Sequence, residues 1–152
     1  MRRRYQDPQA ELRARALRLL GRRDYSRSEL TQRLAPRAEG TEGLSVLLDE
    51  FERRGWLSEQ RVAEQLVRAA AGRFGSRKVA QQLAARGVRE AVADKALADL
   101  LEAELENARQ ALRRRFPAAP ASEIDRSRQG RFLAGRGFSE DVIEQLLGPF
   151  QL

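Results

Sequence analysis

Arginine is the side chain through which this sequence offers most of its chemistry. Of the 29 basic residues all are Arg except Lys78 and Lys95. Guanidinium groups bind phosphates and carboxylates through paired N–H donors, so this residue type points to recognition of anions. The chain has no Cys and no His. Disulfides, thiol nucleophiles, histidine acid–base catalysis and zinc sites with Cys or His ligands are therefore excluded.

The basic residues are concentrated in two segments. Residues 1–23 and residues 109–136 each carry a net charge of +6, whereas the whole chain carries +7. The rest of the chain is therefore acidic on balance. Two basic segments separated by acidic surface favour contact with a polyanion or docking on an acidic protein face. The alternative is that these charges form an ordinary solvated surface with no binding role.

Local patterns select candidate contact residues within and beyond these segments. Basic residues flank Phe74-Gly75-Ser76, where they could place positive charge beside a helix N-terminus and form a phosphate site; a solvated loop is the alternative. Three consecutive arginines at 113–115 spread over most of the circumference of a helix, so at least one of them faces water. The candidates for contact with a partner or with DNA are Arg22, Arg23, Arg73, Arg77, Lys78, Arg113, Arg114, Arg115, Arg126, Arg128 and Arg131.

The sequence offers no catalytic constellation. Carboxylates cluster at Asp49-Glu50 and between Glu102 and Glu106, but on otherwise polar helix surface, where nothing apolar would raise their pKa. The glycines at 72 and 75 lack the Lys-Ser/Thr of a phosphate-cradling loop. We expect no catalytic, metal-binding or cofactor-binding residue. An enzyme built on clustered carboxylates is the least favoured hypothesis.

The elements that position the arginines are predicted to be helices. The segment RFLAGRGFSEDVIEQLL at 131–147 has the pattern of a helix end, a glycine turn, a serine cap and a second helix. The turn Arg136-Gly137-Phe138 has a counterpart at 86–88 and a looser one at 54–56. Trp56 and Phe138 occupy the apolar position of this turn, so both are expected to be buried.

This repetition predicts an all-α fold of three tandem three-helix, helix-turn-helix-like repeats in an elongated, curved array. A basic tail at 1–7 precedes repeats at 8–56, 57–103 and 104–150. Between Glu90 and Phe116 the apolar pattern runs on without Gly or Pro, as in one long helix, whereas the repeat places a break near 102–107. Phe74 is expected on the helix before Gly75, and Ser76 as the cap of the next one.

Four stretches carry a resemblance to a known family: ALRLLGRRDYSRSEL at 16–30, RRGWLSEQRVAEQLV at 53–67, GRFGSRKVAQQLAARGV at 72–88 and RFLAGRGFSEDVIEQLL at 131–147. Their order and spacing resemble the RecX family of recombination regulators over roughly residues 10–149. The resemblance implies three tandem three-helix repeats, in agreement with the internal repetition.

The same resemblance implies a non-enzymatic modulator of RecA in DNA repair, recombination and the SOS response. Such a protein binds the RecA–single-stranded DNA filament and mainly inhibits RecA ATPase and recombinase activity. The resemblance leaves two modes open: coating of the filament groove, and capping of filament ends that blocks growth and favours disassembly. We expect a cytoplasmic monomer without cofactor or membrane contact, with at most weak direct contact to single-stranded or duplex DNA. The alternative is a helical protein that binds DNA directly and competes for it.

Overall fold

The structure is a computed structural model that describes residues 7–149. Over this range the chain forms nine α-helices and one short 3-10 helix, and no strand, so the expected all-α fold is confirmed. The helices are α1 (Pro8–Leu20), α2 (Arg27–Leu34), a 3-10 helix (Ala35–Arg37), α3 (Glu42–Arg53), α4 (Glu59–Ala70), α5 (Ser76–Ala85), α6 (Glu90–Glu102), α7 (Glu104–Arg115), α8 (Glu123–Gly135) and α9 (Glu140–Leu147). Apart from Asp7, the basic tail lies outside the described residues.

The described residues form two compact units. Unit 1 consists of residues 7–62 together with Arg86–Arg89, and unit 2 consists of Ala63–Ala85 together with residues 90–149. The Arg-Gly turn at 86–87 therefore packs with the first unit, although it follows α5 in the chain. The expected repeat boundaries at 56/57 and 103/104 stay predictions.

Polar side chains cap the helix starts as the sequence indicates. Asp7 accepts a hydrogen bond from the Gln9 amide at 3.0 Å. Ser26 and Glu29 form a reciprocal capping box, in which each side chain accepts from the other residue's amide, at 3.1 and 3.0 Å. The Ser122 side chain accepts from the Asp125 amide at the start of α8, and the Ser139 side chain accepts from the Val142 amide at the start of α9. Local chemistry therefore fixes where these four helices begin.

The core of unit 1 is built from the apolar faces of α1, α2 and α3. Its buried members are Leu12, Ala16, Tyr25, Leu30, Leu34, Leu44, Leu47, Leu48, Phe51 and Leu57. The helical members follow from apolar spacing. Tyr25 and Leu57 lie outside the helices, where spacing carries no information about burial.

The expected burial of Trp56 is wrong, whereas that of Phe138 is confirmed. Trp56 is 40% exposed and Phe138 only 1%, although both amides donate to the carbonyl five residues earlier, at 2.9 and 3.2 Å. The difference arises from Leu57, which has 2% exposure and fills the core beside that turn. Trp56 instead packs at the edge of the core against Phe51, with ring centroids 5.5 Å apart.

The segment between Glu90 and Phe116 is two helices, α6 and α7. The break falls at Ala103, with φ −94° and ψ 2°, where the internal repeat places it. The first residue of α7, Glu104, is 2% exposed and accepts hydrogen bonds from the Ser76 amide and hydroxyl at 3.1 and 2.9 Å. A continuous helix would carry this carboxylate in a different direction, so the break serves to place it.

Two details of the preceding region differ from expectation. Helix α4 ends at Ala70, because Gly72 has a left-handed backbone with φ +69°. Phe74 therefore does not lie on that helix. Ser76 is the first residue of α5 and not its cap, because its hydroxyl is used by Glu104.

One core cluster of unit 2 is formed by α7, α8, α9 and the turn between α8 and α9. It consists of the buried side chains of Ala108, Ala111, Leu133, Phe138, Val142, Ile143 and Leu147. Beside it, two backbone segments touch directly. The Gly75 amide donates to the Arg136 carbonyl at 2.9 Å, and the Arg77 amide donates to the Gly137 carbonyl at 3.1 Å. A Cβ at Gly75 would overlap the Gly137 carbonyl, so only glycine allows this contact.

Replacing Gly75 by Ala is expected to lower the free energy of unfolding by about 1–3 kcal/mol, because the added methyl group meets backbone that cannot move aside. The matched control is Gly135→Ala, whose Cβ meets nothing within 4 Å. There the free energy should be unchanged or rise by up to about 1 kcal/mol, as alanine favours a helix. Urea unfolding measures both variants. Equal effects would contradict the close contact.

Glu29 makes the stability of unit 1 depend on pH. Burial raises its pKa, but hydrogen bonds from the Ser26 amide and from Arg86 and Arg23 outweigh burial and hold the pKa below its ordinary value of 4.5. Because the pKa of Glu29 is lower in the folded state than in the unfolded state, its charge stabilises the fold at pH values above the ordinary pKa. This stabilisation is lost as the pH falls through the lowered pKa.

Glu29→Gln preserves the capping box but removes the charge. We expect this variant to be about 1 kcal/mol less stable than wild type at pH 7, with the difference shrinking towards pH 3. Thermal or urea unfolding at several pH values measures it. A difference that stays constant over this range would show that the charge of Glu29 contributes nothing.

Candidate functional site

Unit 2 contains an open cleft of about 230 Å³ that is rich in arginine. It is lined by Gly72, Arg73, Ala111, Arg114, Arg115, Phe132 and Arg136, here called the arginine cleft. The lining contains no acidic side chain. Such a cavity is suited to an anion.

The four arginines reach the cleft from three helix ends. Arg114 and Arg115 lie in the last turn of α7, Arg136 is the C-terminal cap residue of α8, and Arg73 follows the end of α4. The carbonyl groups at a helix C-terminus carry partial negative charge, which stabilises nearby cations. Helix ends thus reduce the cost of gathering like charges.

Hydrogen bonds hold the Arg73 loop in place. The Gly72 amide donates to the side-chain oxygen of Asn107 on α7 at 3.0 Å, and Asn107 is only 8% exposed. The amides of Arg73 and Phe74 both donate to the Ala70 carbonyl at 2.9 Å. The loop is therefore fixed against α7, which carries the two neighbouring arginines.

Aromatic rings position the guanidinium of Arg136. It lies 5.1 Å from the ring centroid of Phe74 and 5.1 Å from that of Phe132. Lys78 also lies over the Phe74 ring, at 4.3 Å. Cation–π contacts of this kind orient a guanidinium without consuming its N–H donors. Arg136 thus stays available to an acceptor.

A second pair of rings continues this arrangement. The rings of Phe116 and Phe132 pack edge to face with centroids 5.5 Å apart, and the guanidinium of Arg115 lies 4.8 Å from the Phe116 ring centroid. Each ring bordering the cleft therefore carries a cation on a face.

None of the four cleft arginines forms an ion pair with a carboxylate among residues 7–149. The neighbouring acid on α7, Glu106, is engaged by Arg109 at 2.7 Å. That hydrogen bond outweighs desolvation and lowers the pKa of Glu106. Nine other arginines of the described chain pair with a carboxylate, whereas the cleft gathers four that do not in one place.

The structure thus brings together three of the eleven candidates, Arg73, Arg114 and Arg115. Arg77 and Lys78 lie on the first turn of α5, beside the cleft but outside its lining. The remaining candidates, which also lie outside the lining, are Arg22, Arg23, Arg113, Arg126, Arg128 and Arg131. Their roles stay predictions.

Two of these remaining candidates are already engaged within the chain. Arg23 pairs with Glu29 at 3.1 Å and lies 3.7 Å from the Tyr25 ring centroid. Arg126 lies 3.5 Å from Glu123. Both are weaker candidates for contact with a partner than the cleft arginines are.

Sequence reasoning missed Arg136. Its place in the Arg-Gly-apolar turn indicated a structural cap, and it does cap α8. A comparison of the Arg-Gly turns could have identified Arg136 as a cation without a carboxylate one helical turn before it. Arg54 has Glu50 four residues before it and pairs with it at 2.9 Å, whereas position 132 holds Phe.

Residues 7–149 contain no group of three or more acidic side chains that could hold a metal ion. Over the same range no helix is long and apolar enough to cross a membrane.

Comparison with known proteins identifies the family of this chain. The family model described as the second three-helix domain of RecX matches residues 58–97, and the model of the third matches residues 102–147. The regulatory protein RecX of Leptothrix cholodnii is 42% identical over 140 residues, covering 92% of this chain and 89% of that protein. The regulatory protein RecX of Chromobacterium violaceum is 43% identical over 136 residues, covering 90% and 88%.

A solved structure gives the same result for the fold. The crystal structure of RecX from Lactobacillus salivarius superposes with a TM-score of 0.76 over 92% of this chain and 94% of that chain, at 19% sequence identity. The helical repeat fold is thus confirmed, as is the resemblance noted in the sequence. The chain belongs to the RecX family of regulatory proteins.

Proposed function

We propose that this protein binds the filament that RecA forms on single-stranded DNA and inhibits the ATPase and recombinase activities of RecA. It acts by binding and without chemistry of its own, in the regulation of DNA repair and recombination. The observation that supports a binding role is the arginine cleft, whose four cations pair with no carboxylate among residues 7–149. Unpaired guanidinium groups gathered in one place favour an anionic surface supplied by another molecule.

The cleft arginines form the centre of the proposed contact. Arg136 is held by two rings, and the Arg73 loop is fixed to α7. Preorganised donors lose little freedom on binding, so they contribute more affinity than mobile surface arginines. The candidates outside the cleft contribute mainly through long-range attraction, which salt screens. We propose that the protein acts in the cytoplasm as a monomer and that direct DNA contact is secondary.

Arg114→Gln is expected to raise the concentration needed for half-maximal inhibition of RecA about tenfold, because one charge-assisted contact is lost. The matched control is Arg113→Gln, which removes the same charge from the same exposed last turn of α7 but outside the cleft. Its effect should be no more than about twofold. Glutamine avoids placing negative charge at a helix C-terminus, where it would destabilise the fold.

The measurement is RecA ATPase on single-stranded DNA with increasing amounts of each protein. Equal effects of the two variants would remove the cleft from the interface. A wild-type protein that leaves the ATPase unchanged would contradict the function itself. Strong affinity for naked DNA that falls steeply with salt and accounts for the whole effect would show direct DNA competition instead.

A further inference from the structure

The two units share one local arrangement, an Arg-Gly turn docked against the start of a helix. In unit 1 the carbonyl of Arg86 accepts a hydrogen bond from the Ser26 hydroxyl. In unit 2 the carbonyl of Arg136 accepts one from the Gly75 amide at 2.9 Å. Ser26 and Gly75 therefore occupy equivalent positions.

The following helical hydrogen bonds fix the register of this comparison. The Leu30 amide donates to the Ser26 carbonyl at 3.1 Å, and the Val79 amide donates to the Gly75 carbonyl at 3.3 Å. Leu30 and Val79 are both fully buried. Glu29 in α2 lies three residues after Ser26 and one before Leu30, and Lys78 in α5 lies three residues after Gly75 and one before Val79. Glu29 therefore corresponds to Lys78.

This correspondence reverses a charge. In unit 1 the Glu29 carboxylate pairs with Arg86 at 3.1 Å, and Arg86 also donates to the Asp24 carbonyl at 3.1 Å. In unit 2 the equivalent arginine, Arg136, has Lys78 in place of the glutamate, and both cations lie over the Phe74 ring at 5.1 and 4.3 Å. The internal ion pair of one turn is thus replaced by two like charges in the other.

We infer that the arginine cleft is a docking site for acidic side chains of a protein partner, with a carboxylate from the partner on Arg136 in the role that Glu29 has on Arg86. The inference rests on the proposed function, in which the partner is the RecA filament. It narrows that function by assigning this surface to the protein of the filament and not to its DNA.

The aromatic rings favour a protein partner over single-stranded DNA. Sites for single-stranded nucleic acid combine cations with aromatic faces on which bases stack. Here Phe74, Phe116 and Phe132 each already carry a cation over the ring. The volume of about 230 Å³ accommodates a few side chains, and a flat guanidinium binds a carboxylate through two parallel hydrogen bonds.

Lys78→Glu tests this inference, because it supplies internally the carboxylate that unit 1 already has. Glutamate near the start of α5 is also favourable for the helix, so the melting temperature should stay unchanged or rise. The matched control is Lys95→Glu, the same charge change on an exposed residue of α6. Arg136→Gln provides a second variant, which removes the guanidinium that is proposed to bind the partner's carboxylate.

Three measurements are made on each full-length protein: inhibition of RecA ATPase, and anisotropy of a fluorescent hexaglutamate peptide and of a fluorescent oligothymidine. We expect Lys78→Glu and Arg136→Gln to weaken inhibition and peptide binding at least tenfold. Oligothymidine binding should change no more than in Lys95→Glu, which should keep inhibition within about twofold of wild type.

Two results would overturn the inference while leaving the proposed function intact. One is undiminished inhibition by Lys78→Glu. The other is a parallel loss of oligothymidine affinity, which would show that the cleft binds DNA phosphates. By contrast, a wild-type protein that binds the peptide but leaves RecA ATPase unchanged would contradict the proposed function and not the chemistry of the cleft.

Discussion

The feature on which unit 2 depends is a direct backbone contact between two turns. Gly75 lies so close to the Gly137 carbonyl, and Gly137 so close to the Lys78 backbone, that neither glycine tolerates a side chain. Amide–carbonyl bonds of 2.9 and 3.1 Å join the two segments. This contact sets where α5 begins relative to the end of α8. It therefore also sets the position of Arg136 beside the Phe74 ring. The cationic site is a consequence of how two glycines pack.

Gathering four arginines in one cleft requires compensation, because like charges repel and no carboxylate of the described chain pairs with them. Two compensations are visible. The cations lie at or just beyond the C-terminal ends of three helices, where carbonyl dipoles favour positive charge. Arg115 and Arg136 also lie over phenylalanine rings. Both effects orient the guanidinium groups and leave N–H donors free, which suits recognition of an anion.

The two Arg-Gly turns show how a repeated element can serve different ends. Around Arg86 the chain supplies its own anion through Glu29, and the turn is a structural joint. Around Arg136 the equivalent position holds Lys78, and the same backbone presents its cation outward. The charge at one helix position distinguishes the two turns. The hydrogen bonds to the Arg86 and Arg136 carbonyls, from the Ser26 hydroxyl and the Gly75 amide, do not involve that side chain.

The sequence alone determined the helices, their caps and most of the core, because these depend on spacing and on residues near one another in the chain. It also determined that the binding chemistry relies on cations, and it carried the family resemblance. The tertiary structure alone decided that Trp56 stays exposed, that the repeat and not the continuous apolar pattern holds between Glu90 and Phe116, and that Arg136 joins residues from α7 and from the loop after α4. Those outcomes depend on contacts between residues far apart in the chain, or on competition for the core, as between Trp56 and Leu57. Local patterns do not encode such distances, so the cleft became visible only when the helix ends were brought together.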